Sequence, residues 1–362
     1  MAEIPERQSL SKQTVEILRG SIIRGIWRDK LPSERTLCEK YQISRNTLRT
    51  ALRQLQREKM IRAVHGSGNR ILSLPGKTPR ESRSRDVAVL LPESMEHLRP
   101  TQTLWIDELR ALLSERGCRL HIFHGRQYFR ANPGPALQRL TIQSPHRCWI
   151  LALSNAAVQQ WFSWSGVRCI VAGSVHAGLG LPYRDLDHRA MCRHAAGILL
   201  GLGHRRLGFL ITKSQLAGDL ESEEGFHEGV KRSPHAGAEV LVCRHDGTPT
   251  GIGNGLRRLM EQQAPPTAIL VANAYHYLTV VSRLAQLGRR VPQEVSVISR
   301  DDDLFLSYVL PVPARYRTSA HVLARSLLRP VLDLLEKAEP VKREQRLVPE
   351  FIPGESMVPL AR

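Results

Sequence analysis

Residues 44–55 read SRNTLRTALRQL and carry the pattern of a half-buried helix. Apolar residues recur at positions i, i+3, i+4 and i+7 of one helical face, and they are Leu48, Ala51, Leu52 and Leu55. Ser44 stands before the first turn, where its hydroxyl oxygen can accept a hydrogen bond from a backbone N–H. The pattern therefore predicts a helix that packs along one face and exposes the polar residues at its N-terminal end, 45–47 and 49.

The positive charge of the chain is concentrated near its N-terminus. The 362 residues have a formal net charge of +18 at pH 7. Residues 1–85 hold 19 lysines and arginines against 8 aspartates and glutamates, a net charge of +11 in under a quarter of the chain. A localised excess of this kind indicates an anionic partner, and nucleic acid is the first candidate. The length predicts two or three domains.

Cysteine usage and hydropathy predict a cytoplasmic location. None of the six cysteines belongs to a C-x-x-C pair, and several lie in apolar runs, which is typical of buried free thiols in a reducing compartment. The N-terminus is polar and has no signal-peptide core. No apolar run reaches the roughly 18–20 residues of a membrane span, so we expect no membrane partner.

The first 72 residues predict a winged helix-turn-helix. Helices are expected over residues 10–26, after Ser33, and from residue 44 to about Lys59. Two short extended segments, 60–64 and 69–72, flank the sequence His-Gly-Ser-Gly, whose two glycines suit the tip of a hairpin. Residues 73–85 lack apolar periodicity and contain proline, glycine and several arginines, so they are expected to form a linker.

The stretch LPSERTLCEKYQISRNTLRTALRQLQREKMIRAVHGSGNRI, residues 31–71, resembles the DNA-binding domain of GntR-type regulators. It departs from that family at Lys59, where glycine is usual. The resemblance implies DNA contacts by Arg35, Ser44, Arg45, Asn46, Thr47, Arg49, His65 and Gly66. The chemistry agrees, because arginine can bond guanine and asparagine can bond adenine through two hydrogen bonds in the major groove. For Arg35, the alternative is an i,i+4 ion pair with Glu39.

Residues 86–362 predict an α/β domain with two lobes. Apolar strands alternate with amphipathic helices, which is typical of βαβ units and parallel sheets. About ten strands exceed one small doubly wound sheet, so two lobes with a cleft between them are expected. The predicted fold is thus multidomain: a winged helix-turn-helix at 1–72, a linker at 73–85 and a two-lobed domain at 86–362.

Two stretches of this second domain, 186–211 and 264–303, resemble the effector domain of LacI-type regulators, which is related to periplasmic binding proteins. The resemblance implies a small-molecule effector in the cleft, with contacts from Asp301 and from the positions of Ser222 and Asn273. The chain departs from the family at two of these positions. Ser222 replaces a ligand-binding arginine, and Asn273-Ala274 replaces Asn-Asp. Asp187 is expected to cap the helix that follows it.

The nature of the effector is left open by these departures. Loss of the arginine argues against an ordinary neutral sugar, and three consecutive acids, Asp301–Asp303, would suit a cationic ligand. Alternatively, these acids cap a turn and the cleft binds nothing. The glycine-rich stretch 247–255 lacks the Lys-Ser/Thr of a phosphate-binding loop, and no catalytic arrangement is recognisable. We therefore expect no enzymatic activity, no cofactor and no metal.

The sequence as a whole predicts a homodimeric, sequence-specific transcriptional regulator, acting as a repressor on a double-stranded DNA operator. A small molecule, a sugar or a sugar-like compound, would control its affinity for DNA. The alternative is a ligand-independent dimeric repressor whose C-terminal domain only dimerises.

Overall fold

The computed structural model describes residues 10–23, 27, 30–58, 60–64, 68–72, 85–214, 216–235, 237–336 and 343–360. These residues form two compact units, one at the N-terminus and a larger one after it. Most of the predicted linker, residues 73–84, lies outside the described residues.

The N-terminal unit is a winged helix-turn-helix, as predicted. Its elements are α1 (Leu10–Ile23), α2 (Glu34–Tyr41), α3 (Arg45–Arg57), β1 (Ile61–Val64) and β2 (Gly68–Ile71). The two strands pair antiparallel. The buried face predicted for α3 is confirmed, and it contributes Leu48, Ala51, Leu52 and Leu55 to a core shared with α1 and α2.

Capping residues fix the start of α2 and the turn between α2 and α3. The hydroxyl oxygen of Ser33 accepts a hydrogen bond from the Thr36 backbone N–H at 3.1 Å, and this caps α2. Gln42 ends α2 with a left-handed φ of 52°, and its N–H donates to the carbonyl oxygen of Cys38. The chain therefore reverses over two residues before Ser44 begins α3.

The larger unit alternates strands and helices. Its elements are β3 (Asp86–Leu91), α4 (Pro100–Ser114), β4 (Arg119–His124), α5 (Gly134–Gln143), β5 (Cys148–Ala152), α6 (Ala156–Ser165), β6 (Cys169–Ala172), β7 (Tyr183–Leu186), α7 (His188–Gly201), β8 (Arg206–Thr212), α8 (Ala217–Lys231), β9 (Glu239–His245), α9 (Pro249–Met260), β10 (Ala268–Val271), α10 (Ala274–Gln286), β11 (Ser296–Ser299), β12 (Ala314–Arg317), α11 (Ala320–Leu335), β13 (Glu344–Leu347) and β14 (Glu350–Ile352). Asp187 caps α7 as predicted, because its Oδ1 accepts from the Ala190 N–H at 2.9 Å.

These elements form two lobes, each built on a six-stranded sheet. The first lobe has the strand order β13-β7-β6-β5-β3-β4, and α4 and α11 pack on one of its faces. The second lobe has the order β14-β12-β11-β10-β8-β9, with α7 and α8 on one face and α9 and α10 on the other. In both sheets the described pairs are parallel except β12 with β14. The chain passes between the lobes after β7, β12 and β13.

Four strands of the larger unit lack the continuous apolar run that marks a buried strand in the sequence, and all of them border these crossings. They are β7, β12, β13 and β14, with the sequences YRDL, ARYR, EQRL and EFI. Charged residues interrupt the apolar runs that mark buried strands. Arg184 of β7 is nevertheless buried, because its guanidinium donates to the carbonyl oxygens of Tyr183 and Ser326. None of the helices described by the structure is both long and apolar enough to cross a membrane.

Candidate DNA interface and interlobe site

The N-terminal end of α3 exposes three of the predicted DNA-contacting side chains. Ser44 Oγ accepts from the Thr47 N–H at 3.1 Å and lies 2.9 Å from Thr47 Oγ1, so these two residues form the helix cap. Arg45, Asn46 and Arg49 are exposed around that cap. A helix N-terminus with free N–H groups attracts anions, and these long side chains surround it. The cap therefore positions the side chains that would reach DNA.

Two of the predicted arginines form ion pairs within the N-terminal unit. Arg49 Nε lies 3.0 Å from Glu34 Oε2, and Arg35 Nε lies 3.0 Å from Glu39 Oε1, which is the alternative expected for Arg35. The four side chains are 36–81% exposed. Exposed pairs of this kind contribute about 0–1 kcal/mol, so a DNA phosphate can replace the carboxylate. Arg45 makes no ion pair with any residue that the structure describes.

The wing adds a basic pair that the sequence analysis missed. Arg62 of β1 and Arg70 of β2 are directly opposite in the hairpin register, and both are exposed. Like charges in this position are destabilising by themselves, and a bound anion would relieve their repulsion. Only the register reveals the pair, because the spacing of the two arginines does not fix which residues face each other. His65 and Gly66, the predicted wing contacts, lie outside the described residues.

Asp301, the main predicted effector contact, connects the two lobes. It follows β11 at the carboxyl end of the second sheet. One of its oxygens pairs with Arg99, the residue that begins α4 in the first lobe, and the other lies 3.3 Å from Arg300 Nε. We refer to Arg99, Asp219, Ser222, Arg300 and Asp301 as the interlobe site.

Ser222 is completely buried and contacts the guanidinium of Arg300. Its hydroxyl donates to the Gly218 carbonyl oxygen at 2.7 Å and accepts from Arg300 Nη1 at 2.9 Å. The same Nη1 donates to Asp219 Oδ1 at 2.7 Å. An arginine is therefore present beside Ser222, but β11 supplies it rather than α8.

The charges of the interlobe site stabilise one another. Burial alone would raise the pKa of Asp301, but Arg300 and Arg99 outweigh burial and hold that pKa well below its usual value. Burial lowers the pKa of Arg300, but Asp301 and Asp219 outweigh it and raise that pKa above its usual value. The formal charges of the two arginines and two carboxylates of the interlobe site sum to zero.

A second group of contacts joins the lobes near the first crossing. Arg346 of β13 lies 2.8 Å from Glu221 of α8. Ser174, which follows β6, is bonded to Glu221 at 3.0 Å and to Asp185 of β7 at 2.7 Å. These contacts hold the start of α8, the helix that carries Asp219 and Ser222, against the first lobe.

The other predicted effector residues have structural contacts of their own. Asn273 caps α10, because its Oδ1 accepts from the Tyr275 N–H at 2.8 Å. Asp302 lies 2.7 Å from Arg315 and 2.9 Å from Arg317. Asp301 and Asp302 are thus each paired with two arginines, whereas Asp303 is buried and its Oδ2 has no hydrogen-bond partner among the described residues. The argument from sequence that consecutive acids suit a cationic ligand therefore loses the support of Asp301 and Asp302.

Histidines that the sequence analysis missed lie close to the same site. The rings of His245, the last residue of β9, and His276 of α10 are 4.9 Å apart. Burial, with contributions from His245 and Arg99, lowers the pKa of His276 to about 4, so its ring is neutral at pH 7. His188 Nδ1 and His245 Nε2 are buried without a hydrogen-bond partner among the described residues. In the sequence, these histidines could have been found only from their position near the carboxyl ends of predicted parallel strands, where ligand-binding residues gather.

Comparisons with known proteins agree with this two-part architecture. Residues 10–71 match the bacterial regulatory proteins of the gntR family, and residues 196–357 match the periplasmic binding protein-like domain. The HTH-type transcriptional regulator CelR of Thermobifida fusca is 25% identical over 300 residues, which span 79% of this chain and 85% of CelR.

Solved structures give the same result for the fold. A CelR–cellobiose complex superposes with a TM-score of 0.69 at 21% identity, over 97% of this chain and all of that one. A LacI family regulator from Bifidobacterium animalis has a TM-score of 0.67 at 20% identity, over 77% of this chain and all of that one.

The fold and the sites together define a helix-turn-helix DNA-binding protein with a two-lobed second domain. The chain is a transcriptional regulator that joins a gntR-type DNA-binding domain to a periplasmic-binding-protein-like domain.

Proposed function

We propose that this regulator is a homodimeric repressor that reads DNA with the exposed end of α3. Residues 1–72 would bind DNA, 73–85 would connect, and 86–362 would dimerise and bind an effector. The observation that carries the proposal is the capped N-terminus of α3 with Arg45, Asn46 and Arg49 exposed around it. Two copies would read half-sites about one helical turn, roughly 34 Å, apart.

Loss of single side chains tests the DNA interface. Arg45→Ala should weaken binding to an operator, selected from random DNA with the wild-type protein, by about 1–3 kcal/mol if it contacts a base. Fluorescence anisotropy at fixed salt measures the change. Arg126→Ala is the matched control, because it removes an exposed arginine from the larger unit. Equal affinities of wild type and Arg45→Ala would exclude this role for Arg45.

The wing arginines should contribute through phosphates rather than bases. Arg62→Ala together with Arg70→Ala should lower affinity for all DNA sequences alike. The slope of log K against log salt should become shallower by about 0.9 for each phosphate that the variant no longer neutralises. An unchanged slope would place both arginines outside the interface.

The effector we propose is a small neutral molecule rich in hydroxyl groups, a sugar or a sugar-like compound, bound at the interlobe site. Two features support this class. The charged groups of the interlobe site already compensate one another, so a neutral ligand leaves their pairing intact. The regulator CelR, which shares the fold, has been solved in complex with cellobiose.

A thermal-shift screen of the purified protein against sugars, amino sugars and polyamines tests effector binding. A ligand at 100 times its Kd should stabilise the protein by about 2.7 kcal/mol. Asp301→Asn should abolish that shift while DNA binding in the absence of ligand is retained. An unchanged shift in Asp301→Asn would remove Asp301 from the site.

Dimerisation is proposed from an exposed apolar segment of the larger unit. Leu304, Tyr308 and Leu310 are 75%, 88% and 83% exposed, and Tyr275 and Leu278 of α10 are exposed as well. Clusters of large apolar side chains on a protein surface are typical of interfaces. Tyr308→Asp should shift the protein from dimer to monomer in sedimentation velocity, and a monomeric wild type would refute the proposal.

A ligand-independent repressor is the second candidate, and one observation favours it. Asp301 and Ser222, two of the three predicted effector residues, are already engaged by Arg99 and Arg300. In that case no compound should shift the melting temperature, and operator affinity should stay constant across the whole panel.

A further inference from the structure

Arg300 is the most buried cationic side chain of the interlobe site. It stands at the end of β11 and is only 7% exposed. No helical or strand pattern in the sequence indicates that Arg300 is buried, so its environment is known only from the structure. A buried arginine needs both charge pairing and hydrogen bonds to offset the loss of hydration.

Three neighbours fix the guanidinium of Arg300. Nη1 donates to Asp219 at 2.7 Å and to Ser222 at 2.9 Å, and Nε lies 3.3 Å from Asp301. Arginine presents five donors in a rigid planar fork. Nη2 donates no hydrogen bond to any described residue. Its N–H groups can therefore donate to a ligand, while the other two nitrogens hold the guanidinium in place.

The surroundings of Arg300 lie where the two lobes meet. Asp301, which pairs with Arg300, also pairs with Arg99 of the first lobe. Asp219, the other acidic partner, is two residues before Glu221 of α8, and Glu221 contacts Arg346 of the first lobe. A molecule bound between the lobes at Asp301 would therefore lie next to the Arg300 fork. A binding group that is held in place before the ligand arrives costs little ordering entropy.

We propose that Arg300 determines effector specificity, by donating from Nη2 to an oxygen of the ligand while Asp301 accepts from a neighbouring hydroxyl. This inference rests on the proposed effector function. The ligand it takes is neutral and carries adjacent hydroxyl groups. Arg99 and Arg300 balance Asp219 and Asp301, so a ligand with a net charge would upset a compensated, buried set.

Arg300→Lys tests the fork without removing the charge. Lysine can still pair with Asp219, but its single nitrogen cannot occupy the separate positions of Nη1, Nη2 and Nε. Calorimetric titrations would use cellobiose as the neutral probe, glucuronic acid as the anionic probe and glucosamine as the cationic probe. Cellobiose should bind the wild type, and Arg300→Lys should weaken that binding about 10- to 100-fold, as expected for removal of a hydrogen bond to a charged group.

Arg315→Lys is the matched control. Arg315 is also a buried arginine paired with an aspartate of the same lobe, Asp302, but it lies on β12 and outside the interlobe site. This control should keep the wild-type affinity for cellobiose. Operator affinity without ligand, measured for both variants and for the wild type, separates a change in effector binding from a change in DNA binding.

Each result has a separate meaning. If Arg300→Lys binds cellobiose as tightly as the wild type does, the role of Arg300 is overturned and the proposed effector function stays intact. Binding of only the charged probes would overturn the neutral class. Binding of none of the three probes to the wild type would count against the proposed effector function and this inference together.

A second variant keeps the inference testable if Arg300→Lys fails to fold. Ser222→Ala removes only the hydroxyl that orients Nη1, in a buried position where alanine fits. It should weaken cellobiose binding severalfold, and a cooperative melting transition in the absence of ligand would show that the variant is folded. Wild-type affinity in Ser222→Ala would then overturn the proposal.

Discussion

The arginines of the DNA-binding unit and those of the interlobe site have opposite environments. Arg35 and Arg49 form ion pairs with both partners at least one-third exposed, whereas Arg300 and Asp301 form theirs with both partners at least 85% buried. An exposed pair can exchange its carboxylate for a phosphate at little cost. A buried pair cannot lose one member without leaving a charge in a poorly solvated place. The first set is therefore suited to an anionic polymer, and the second to a neutral ligand that leaves the pairs intact.

The largest effect expected from this contrast follows the removal of Asp301. Asp301→Ala leaves Arg99 and the buried Arg300 without their shared carboxylate, which should lower the free energy of unfolding by about 3–5 kcal/mol. Urea denaturation of the full chain, followed by circular dichroism, measures the change. Glu39→Ala, which removes the carboxylate from the exposed Arg35 pair, is the control and should cost about 0–1 kcal/mol. Equal losses would refute the contrast.

A smaller effect is expected from acid titration of the larger unit. His276 is surrounded by His245, Arg99, Arg300 and Asp301, and burial is the main cause that lowers its pKa from 6.5 to about 4. The unfolded chain takes up this proton first as the pH falls, so the free energy of unfolding should decrease between pH 6.5 and pH 4. Below the folded-state pKa, protonation of His276 should contribute no further loss.

Melting curves of wild type and His276→Asn over this pH range test that expectation. The variant should lose less stability on acidification, because one of the groups that protonates only on unfolding is gone. His97→Asn, at an exposed histidine, serves as the control. A parallel pH dependence in wild type and His276→Asn would contradict the prediction.

The two units also differ in how far their sequences predict them. The face and cap of α3 follow from a local pattern, because Ser44 and the apolar residues that repeat behind it act within one helix. The interlobe site depends on contacts between distant segments, such as Arg99 with Asp301 and Asp219 with Arg300. Family resemblance located Asp301 and Ser222, but it could not show that β11 supplies an arginine to the space beside Ser222.

The same distinction explains the missed wing pair and the missed strands. Arg62 and Arg70 face each other only because of the hairpin register. Strand β7 contains an arginine that would be unfavourable in the core without carbonyl partners from other segments. Polar side chains that have hydrogen-bond partners in distant segments interrupt the local apolar pattern, so the sequence alone does not mark such strands.

A modest effect is expected when the Arg49 ion pair is removed. Glu34→Gln frees Arg49 and raises the net charge of the N-terminal unit by one. DNA affinity should increase by a few-fold, and the gain should shrink as salt is raised, since exposed charges are screened beyond about 10 Å at 0.1 M ionic strength. Anisotropy titrations at two salt concentrations measure this.

The control for this effect is Glu115→Gln, which changes the charge equally at an exposed position of the larger unit. It should leave the affinity for DNA nearly unchanged. An increase of the same size in both variants would mean that net charge, rather than release of Arg49, controls binding. No increase in Glu34→Gln would place Arg49 outside the interface.

The smallest effect concerns the turn that sets the angle of α3. Gln42 adopts a φ of 52°, a region that costs side-chain-bearing residues free energy and that glycine enters without strain. Glycine also gives the unfolded chain more freedom, which offsets part of that gain. Gln42→Gly should therefore stabilise the full chain by only about 0.5 kcal/mol, with unchanged affinity for DNA. Gln54→Gly, in the C-terminal half of α3 where the backbone is helical, is the opposite case and should destabilise by about 1 kcal/mol. If Gln42→Gly destabilised the protein as much as Gln54→Gly does, the left-handed turn between α2 and α3 would be refuted.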